Sequence, residues 1–128
     1  NPALAEQKPY LAQEVVECKN GDAGLKFKYL GKETTLTPTQ VTASMLQFLK
    51  ETITAKLETE KMPDCVIGCP PWWTEVERHA LMDAARLVGI NVIRVMNETT
   101  AVALDYGVNL DIADGATQRS IIVDIGHS

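Results

Sequence analysis

A chain of 128 residues has the size of about one domain and can bury most of a normal hydrophobic core. Its 45% apolar and 23% charged residues are the composition of an ordinary globular protein. No apolar run approaches the ~20 residues that span a bilayer, and no signal-peptide pattern is visible. The net charge of −5 argues against a nucleic-acid surface, which needs clustered Lys and Arg to meet phosphates.

Asn1 does not follow an initiator methionine, and the first nine residues lack periodicity. Tyr10 to Cys18 loosely predicts a strand, Asn20-Gly21-Asp22 a turn, and the alternation Leu25-Lys26-Phe27-Lys28-Tyr29 a half-exposed strand. Gly31-Lys32 turns the chain again before Thr34-Thr35-Leu36, which completes a small antiparallel meander with one wet face. Thr37-Pro38-Thr39-Gln40 is a helix start: Thr37 caps, Pro38 suits the first helical position, and Gln40 completes a capping box. The stripe Val41, Met45, Leu49, Ile53 and Leu57, broadened by Leu46 and Phe48, predicts a packing helix running to about Glu58.

After Lys61-Met62-Pro63 the pattern becomes strand, helix, strand, helix, the unit from which parallel sheets are built. Cys65-Val66-Ile67 is an apolar run stopped by Pro70 and Pro71, which lack the ladder donor. Thr74 opens a helix with Glu77 placed to return a hydrogen bond to the cap. Its apolar positions are Val76, Ala80, Leu81, Ala84, Leu87 and Val88, and Gly89 supplies the stop. Ile90 to Met96 reads as the next strand, and Asn97 as the cap of a short helix ending at Gly107. Val108 to Gln118 reads as a surface connection. Ser120-Ile121-Ile122-Val123 then fits a strand buried on both faces, with Asp124 and Gly126 at its carboxyl end. Ser128 falls directly after it, so both chain ends look cut.

Cys18, Cys65 and Cys69 contain no Cys-x-x-Cys pair, and two of them sit in a strand pattern, so they read as reduced core thiols of a cytosolic protein. With histidines only at 79 and 127, no zinc set suggests itself. Trp72 and Trp73 suit either an exposed contact patch or a plug between strand and helix, and His79 reads as a partly exposed helix residue. Asp124 before Gly126 is one way to set a carboxylate and an open backbone beside a bound phosphate and Mg²⁺; an Asp that merely ends a strand fits as well. Glu98 at a helix start is favoured by the dipole, by ~0.3–1 kcal/mol, without any ligand. Pro70 and Arg78 read by spacing as a strand terminator and a solvated helical arginine.

Three stretches carry a resemblance. Pro70 to Arg78, Asp83 to Asn91, and Asn97-Glu98-Thr99-Thr100-Ala101-Val102-Ala103-Leu104-Asp105-Tyr106-Gly107 resemble the nucleotide-binding domain of the heat-shock protein 70 superfamily. Val123-Asp124-Ile125-Gly126-His127-Ser128 looks like its second phosphate-contacting loop, and its His-Ser ending is similar to the heat-shock protein 110 branch. The resemblance is strong from Asp64 onward and weaker but in register from about Lys8 to Lys61.

That resemblance implies an α/β fold: part of an actin-like ATPase (ribonuclease H-like) lobe, with a mixed sheet, packed helices, a small β-meander and a long helix. Residues 1–63 would form a peripheral subdomain, with the long helix at 38–58, and residues 64–128 part of the core nucleotide-binding subdomain. It implies ATP or ADP with Mg, and places Asp124 and Glu98 near the metal and attacking water, with Asp124 holding Mg through water. Gly126, His127 and Ser128 would join Asp124 at the phosphates. His127 stands where the family has a glycine, so its side chain is expected to weaken or reshape the phosphate contact. Pro70 and Arg78 match a conformational relay that passes the nucleotide state toward a substrate-binding part.

The first glycine-rich loop, the catalytic lysine and the adenine pocket of such ATPases have no counterpart in the sequence, and no Gly-x-x-x-x-Gly-Lys-Ser/Thr loop exists. The chain alone is therefore expected neither to bind ATP tightly nor to hydrolyse it. For the parent, the resemblance implies a cytoplasmic chaperone of the heat-shock protein 110 type. Such a protein exchanges nucleotide on a partner heat-shock protein 70 and holds unfolded clients. An ordinary heat-shock protein 70 ATPase is the alternative, and a relative in the actin and sugar-kinase group a third.

Overall fold

The computed structural model describes residues 8–18, 21–111, 113–114 and 116–126. It is a mixed α/β structure. A single 3-10 turn, Lys8–Tyr10, precedes the meander, and of the strand expected over Tyr10 to Cys18 the part Glu14–Glu17 forms. Pro9 suits the turn: it has no N–H for a ladder and its fixed φ fits a tight bend. Three strands follow: β1 (Glu14–Glu17), β2 (Ala23–Tyr29) and β3 (Lys32–Leu36), antiparallel in the order β1-β2-β3.

Leu30 and Gly31 both have positive φ, 48° and 80°, so the β2–β3 connection is a two-residue hairpin turn whose twist matches that of the strands. Gly24 lies where strands press together. A Cβ there would stand 2.6 Å from Cys18 Sγ and 2.7 Å from Thr35 Cγ2. On the wet face Lys26 bridges Glu14 at 3.8 Å and Glu33 at 3.2 Å. The hydrogen bond and the charge of Glu33, then the charge of Glu14, hold the Lys26 pKa above its ordinary value.

The capping box forms as expected at α1 (Pro38–Lys56): Thr37 N–H donates to Gln40 Oε1 at 2.9 Å and Gln40 N–H to Thr37 Oγ1 at 3.3 Å. Its buried side differs from the expected stripe. Of the expected residues Leu46 is buried, together with Ala43, which was not among them, while Val41, Met45, Phe48, Leu49 and Leu57 are exposed. The helix packs along Ala43, Leu46 and Lys50, and Lys50 Nζ donates to Val88 O at 2.7 Å. An alanine and a lysine hide such a seam from an apolar count, because small side chains let helices approach and a lysine stem packs while its head finds a carbonyl.

β4 (Cys65–Cys69), α2 (Glu75–Leu87) and β5 (Val92–Asn97) form the strand–helix–strand unit, with β4 and β5 parallel. Gly89, at φ 67°, takes the left-handed conformation that ends α2. Of its expected stripe, Leu81 and Ala84 are buried with Ala85, whereas Val76 and Leu87 are exposed. The core joins Ala43 and Leu46 of α1 to Leu81, Ala84 and Ala85 of α2, with Cys69 and Ile90. Trp73 packs against it as the expected plug. All three cysteines are free, and Cys69 is wholly buried; Cys18 and Cys65 are only partly so. Burial first, then the charge of Asp64, pushes the Cys65 thiol pKa up.

At the start of α2, the Thr74 hydroxyl and the Thr74 N–H both donate to Glu77 Oε2, the latter at 2.7 Å. These bonds, the hydroxyl's first, hold the Glu77 carboxyl below its ordinary pKa. A folded pKa below the unfolded one gives stability that is present above the unfolded value and lost as pH falls through the folded one. Urea midpoints followed through the carboxylate range, pH ~5 to ~3, should therefore fall less steeply for Glu77→Gln, which keeps the cap acceptor but cannot be protonated. Parallel curves for the two proteins would refute this.

β5 leads directly into α3 (Glu98–Val108), which packs loosely and buries no residue. The expected strand Ser120–Val123 is absent: residues 116–126 are irregular, and Ile121 and Ile125 are nine-tenths exposed or more. An apolar run becomes a buried strand only beside strands that complete its ladder, and among the described residues none pairs with it. No helix of the described residues is long and apolar enough to cross a membrane.

Candidate functional site

The cleft of interest lies at the carboxyl ends of β4 and β5, the usual ligand side of parallel strands. The register pairs Cys69 with Asn97, so both strands end at one level. Pro70 and Pro71 stop β4, and Glu98 begins α3 without an intervening loop. A cleft of about 440 Å³ opens there, lined by Pro71, Trp72, Glu98, Thr99, Asp124, Ile125 and Gly126. Glu98 and Asp124, distant in sequence, thus share one cavity. Asp124 arrives on an irregular segment rather than a buried strand.

Gly68 adjoins Glu98: a Cβ there would stand 3.3 Å from Glu98 Cγ, so the glycine leaves room for that side chain to pass. Trp72, 63% exposed, forms part of the cleft wall. Pro70 is half-buried outside the lining, and its carbonyl accepts from Trp73 N–H at 3.2 Å. His127 and Ser128 lie outside the described residues. His79 is exposed, its Nδ1 2.7 Å from Glu75 O within the same helix.

Arg78 is not a solvated arginine. Its Nε donates to Trp73 O at 3.1 Å, Nη1 to Cys69 Sγ at 2.8 Å, and Nη2 to Asn97 Oδ1 at 2.7 Å, with Pro71 O at 3.5 Å. A planar fork with several donors holds such dispersed acceptors as a lysine cannot. Spacing on a helix carries no signal of this, because the partners come from the strand ends. Asn97 shows the converse: it occupies the cap position of α3, but its side chain makes no cap bond and turns to Arg78.

A larger groove, about 820 Å³, lies between the meander and α1, lined by Leu25, Phe27, Tyr29, Leu36 and Val41 among others. It holds no charged side chain, so the smaller cleft is the better candidate for chemistry. Among the described residues no group of three or more His, Cys, Asp and Glu side chains is placed to hold a metal. The cleft's two carboxylates offer hard oxygen ligands, which suit a Mg²⁺ that keeps most of its water and bridges to phosphate.

A model of the Hsp70 protein family matches residues 1–128. Heat shock 70 kDa protein 4 of Canis lupus familiaris is 40% identical over 131 residues, covering 100% of this chain and 16% of that protein. Heat shock protein 110 of Caenorhabditis elegans is 38% identical over 132 residues, 100% of the chain and 17% of the relative. Heat shock 70 kDa protein 4L of Homo sapiens is 39% identical over 131 residues, with 100% and 16% covered. The chain thus spans about one sixth of the length of these relatives. Together with the mixed α/β architecture, the match identifies part of an actin-like ATPase lobe.

Proposed function

The chain belongs to the Hsp70 family, and from that premise we propose that it forms part of the ATP-binding domain of a heat-shock protein 110-type chaperone. The observation that carries this reading is the shared cleft of Glu98 and Asp124. In it, Asp124 would hold a hydrated Mg²⁺ that supplies charge neutralisation to the nucleotide phosphates, and Glu98 would orient water toward them. Gly126 lets phosphate oxygens approach the backbone. His127 and Ser128, which follow Gly126 in the sequence, are the further phosphate contacts that this reading assigns. The bound nucleotide and metal supply the phosphoryl chemistry; the chain's own residues position them.

In the whole protein the activity is nucleotide exchange on a partner heat-shock protein 70, together with holding of unfolded polypeptides, in the cytoplasm. Residues 1–63 serve as a peripheral subdomain and 64–128 as part of the core one, while Pro70 and Arg78 relay the nucleotide state. The 38–40% identities to relatives named heat shock protein 110 and heat shock 70 kDa protein 4 support the exchange reading over an ordinary heat-shock protein 70 ATPase. So does Thr99 in the position where ordinary members carry proline.

Glu98→Ala and Asp124→Ala, made separately in the intact protein, should each weaken Mg-ADP binding about tenfold or more, the loss expected for one charge-assisted contact. Isothermal titration measures this, and unchanged affinity in either would refute the site. Acceleration of ADP release from a heat-shock protein 70 separates the exchange factor from the ordinary ATPase. Residues 1–128 alone should show no micromolar binding of Mg-ATP.

A further inference from the structure

We propose that Asn97 is a positioning residue for the cleft, fixing through Arg78 the β5–α3 junction on which Glu98 stands. This rests on the reading of the cleft as the nucleotide site. An asparagine at a helix cap ordinarily turns its side-chain oxygen to the N–H of the second or third helical residue. Asn97 has the extended backbone of a cap, φ −63° and ψ 136°, but makes no such bond. Its Oδ1 instead accepts from Arg78 Nη2 at 2.7 Å, across 19 residues of sequence.

Arg78 is a firm anchor because it is held elsewhere. Nε is fixed on Trp73 O and Nη1 on Cys69 Sγ, the latter wholly buried. Cys69 is also the ladder partner of Asn97, so guanidinium and sheet register hold the same two strand ends together. Glu98 follows Asn97 directly, and a Cβ on Gly68 would stand only 3.3 Å from its Cγ. The backbone of Glu98 is thereby set by its neighbour, and its side chain by the bare glycine beneath. Through Arg78 the wall residues Pro71 and Trp72 share this frame, and the linkage to Glu98 runs through Asn97 without using Pro70.

The two roles open to Asn97, tether and helix cap, separate chemically. Serine caps a helix about as well as asparagine but is too short to reach the guanidinium. In the intact protein, Mg-ADP affinity is measured for Asn97→Ser, Arg78→Ala, the double variant and, as reference, Glu98→Ala. Each of the first two should lose about tenfold in affinity, since both break the Arg78–Asn97 bond, and the double should lose no more than the worse single. Arg78→Lys, which keeps the charge without the fork, replaces Arg78→Ala if the latter does not fold.

A nucleotide-free readout is the exchange protection of the Arg78 Nη2–H resonances, which donate to Asn97 Oδ1 and whose protection should fall in Asn97→Ser. Wild-type affinity or unchanged protection in Asn97→Ser, or losses that multiply in the double, would overturn the tether and leave Asn97 a cap. If Glu98→Ala leaves affinity unchanged, the cleft reading itself falls, and the tether's functional role with it. The two failures are told apart by that reference variant.

Discussion

Truncation of Leu81 to alanine should lower the unfolding free energy by about 2–5 kcal/mol, the range for large-to-small changes in a packed core. Leu81 is buried on α2, in one cluster with Ala43 and Leu46 of α1, Cys69 of β4 and Ile90. Two of its cluster neighbours, Ala84 and Ala85, are wholly buried and too small to move into a vacancy. The site therefore collapses poorly, which favours the upper part of the range. Leu46→Ala removes the facing leucine of the same cluster, and the two changes should couple by ~0.5–3 kcal/mol in a double-mutant cycle.

Because the cluster draws on residues from both sides of Pro63, urea should unfold the chain in one transition, read by tryptophan fluorescence and by circular dichroism together. A loss below ~1 kcal/mol for Leu81→Ala, or a separate transition for the α1 half, would show that the α1–α2 seam is not the core.

That seam also marks the limit of what the residue pattern conveys. The capping boxes at Thr37 and Thr74 and the stop at Gly89 are local chemistry, complete within four or five residues, and the structure contains them. The face of α1 that packs is not local. Apolar spacing points to Val41, Met45 and Leu49 with Leu46 beside them, whereas the contact runs through Leu46 with Ala43 and Lys50, chosen by how closely α2 can approach. The Ser120–Val123 run fails for a related reason: four apolar or small residues in a row state a preference, but only adjacent strands satisfy its backbone groups.

At the site, Glu98 and Asp124 were legible as candidate carboxylates because a helix start and an Asp-x-Gly are local signs. Their common cleft, and the wall that Trp72 adds, depend on how β4, β5 and the 116–126 segment converge. Asn97 misled because its backbone does what a cap does while its side chain serves another element.

Arg78→Ala should cost about 1.5–3 kcal/mol, the value of a hydrogen bond to a charged group, although Arg78 sits on a helix surface where arginine is usually replaceable. Three acceptors within 3.1 Å are left without their donor at once: Trp73 O, Cys69 Sγ and Asn97 Oδ1. Cys69 is wholly buried, so water cannot readily substitute there. Asn97 keeps a way out, because its freed oxygen can turn to the first N–H groups of α3 and form the ordinary cap. That recovery, ~1 kcal/mol, is why the expected loss stays near one bond rather than three. Arg78→Lys should restore little, since a single ammonium cannot meet acceptors spread over β4, the Pro71–Trp73 turn and β5. Urea midpoints measured on the chain test this, and a loss under ~0.5 kcal/mol for Arg78→Ala would mean that the guanidinium's contacts are made at no net gain over water.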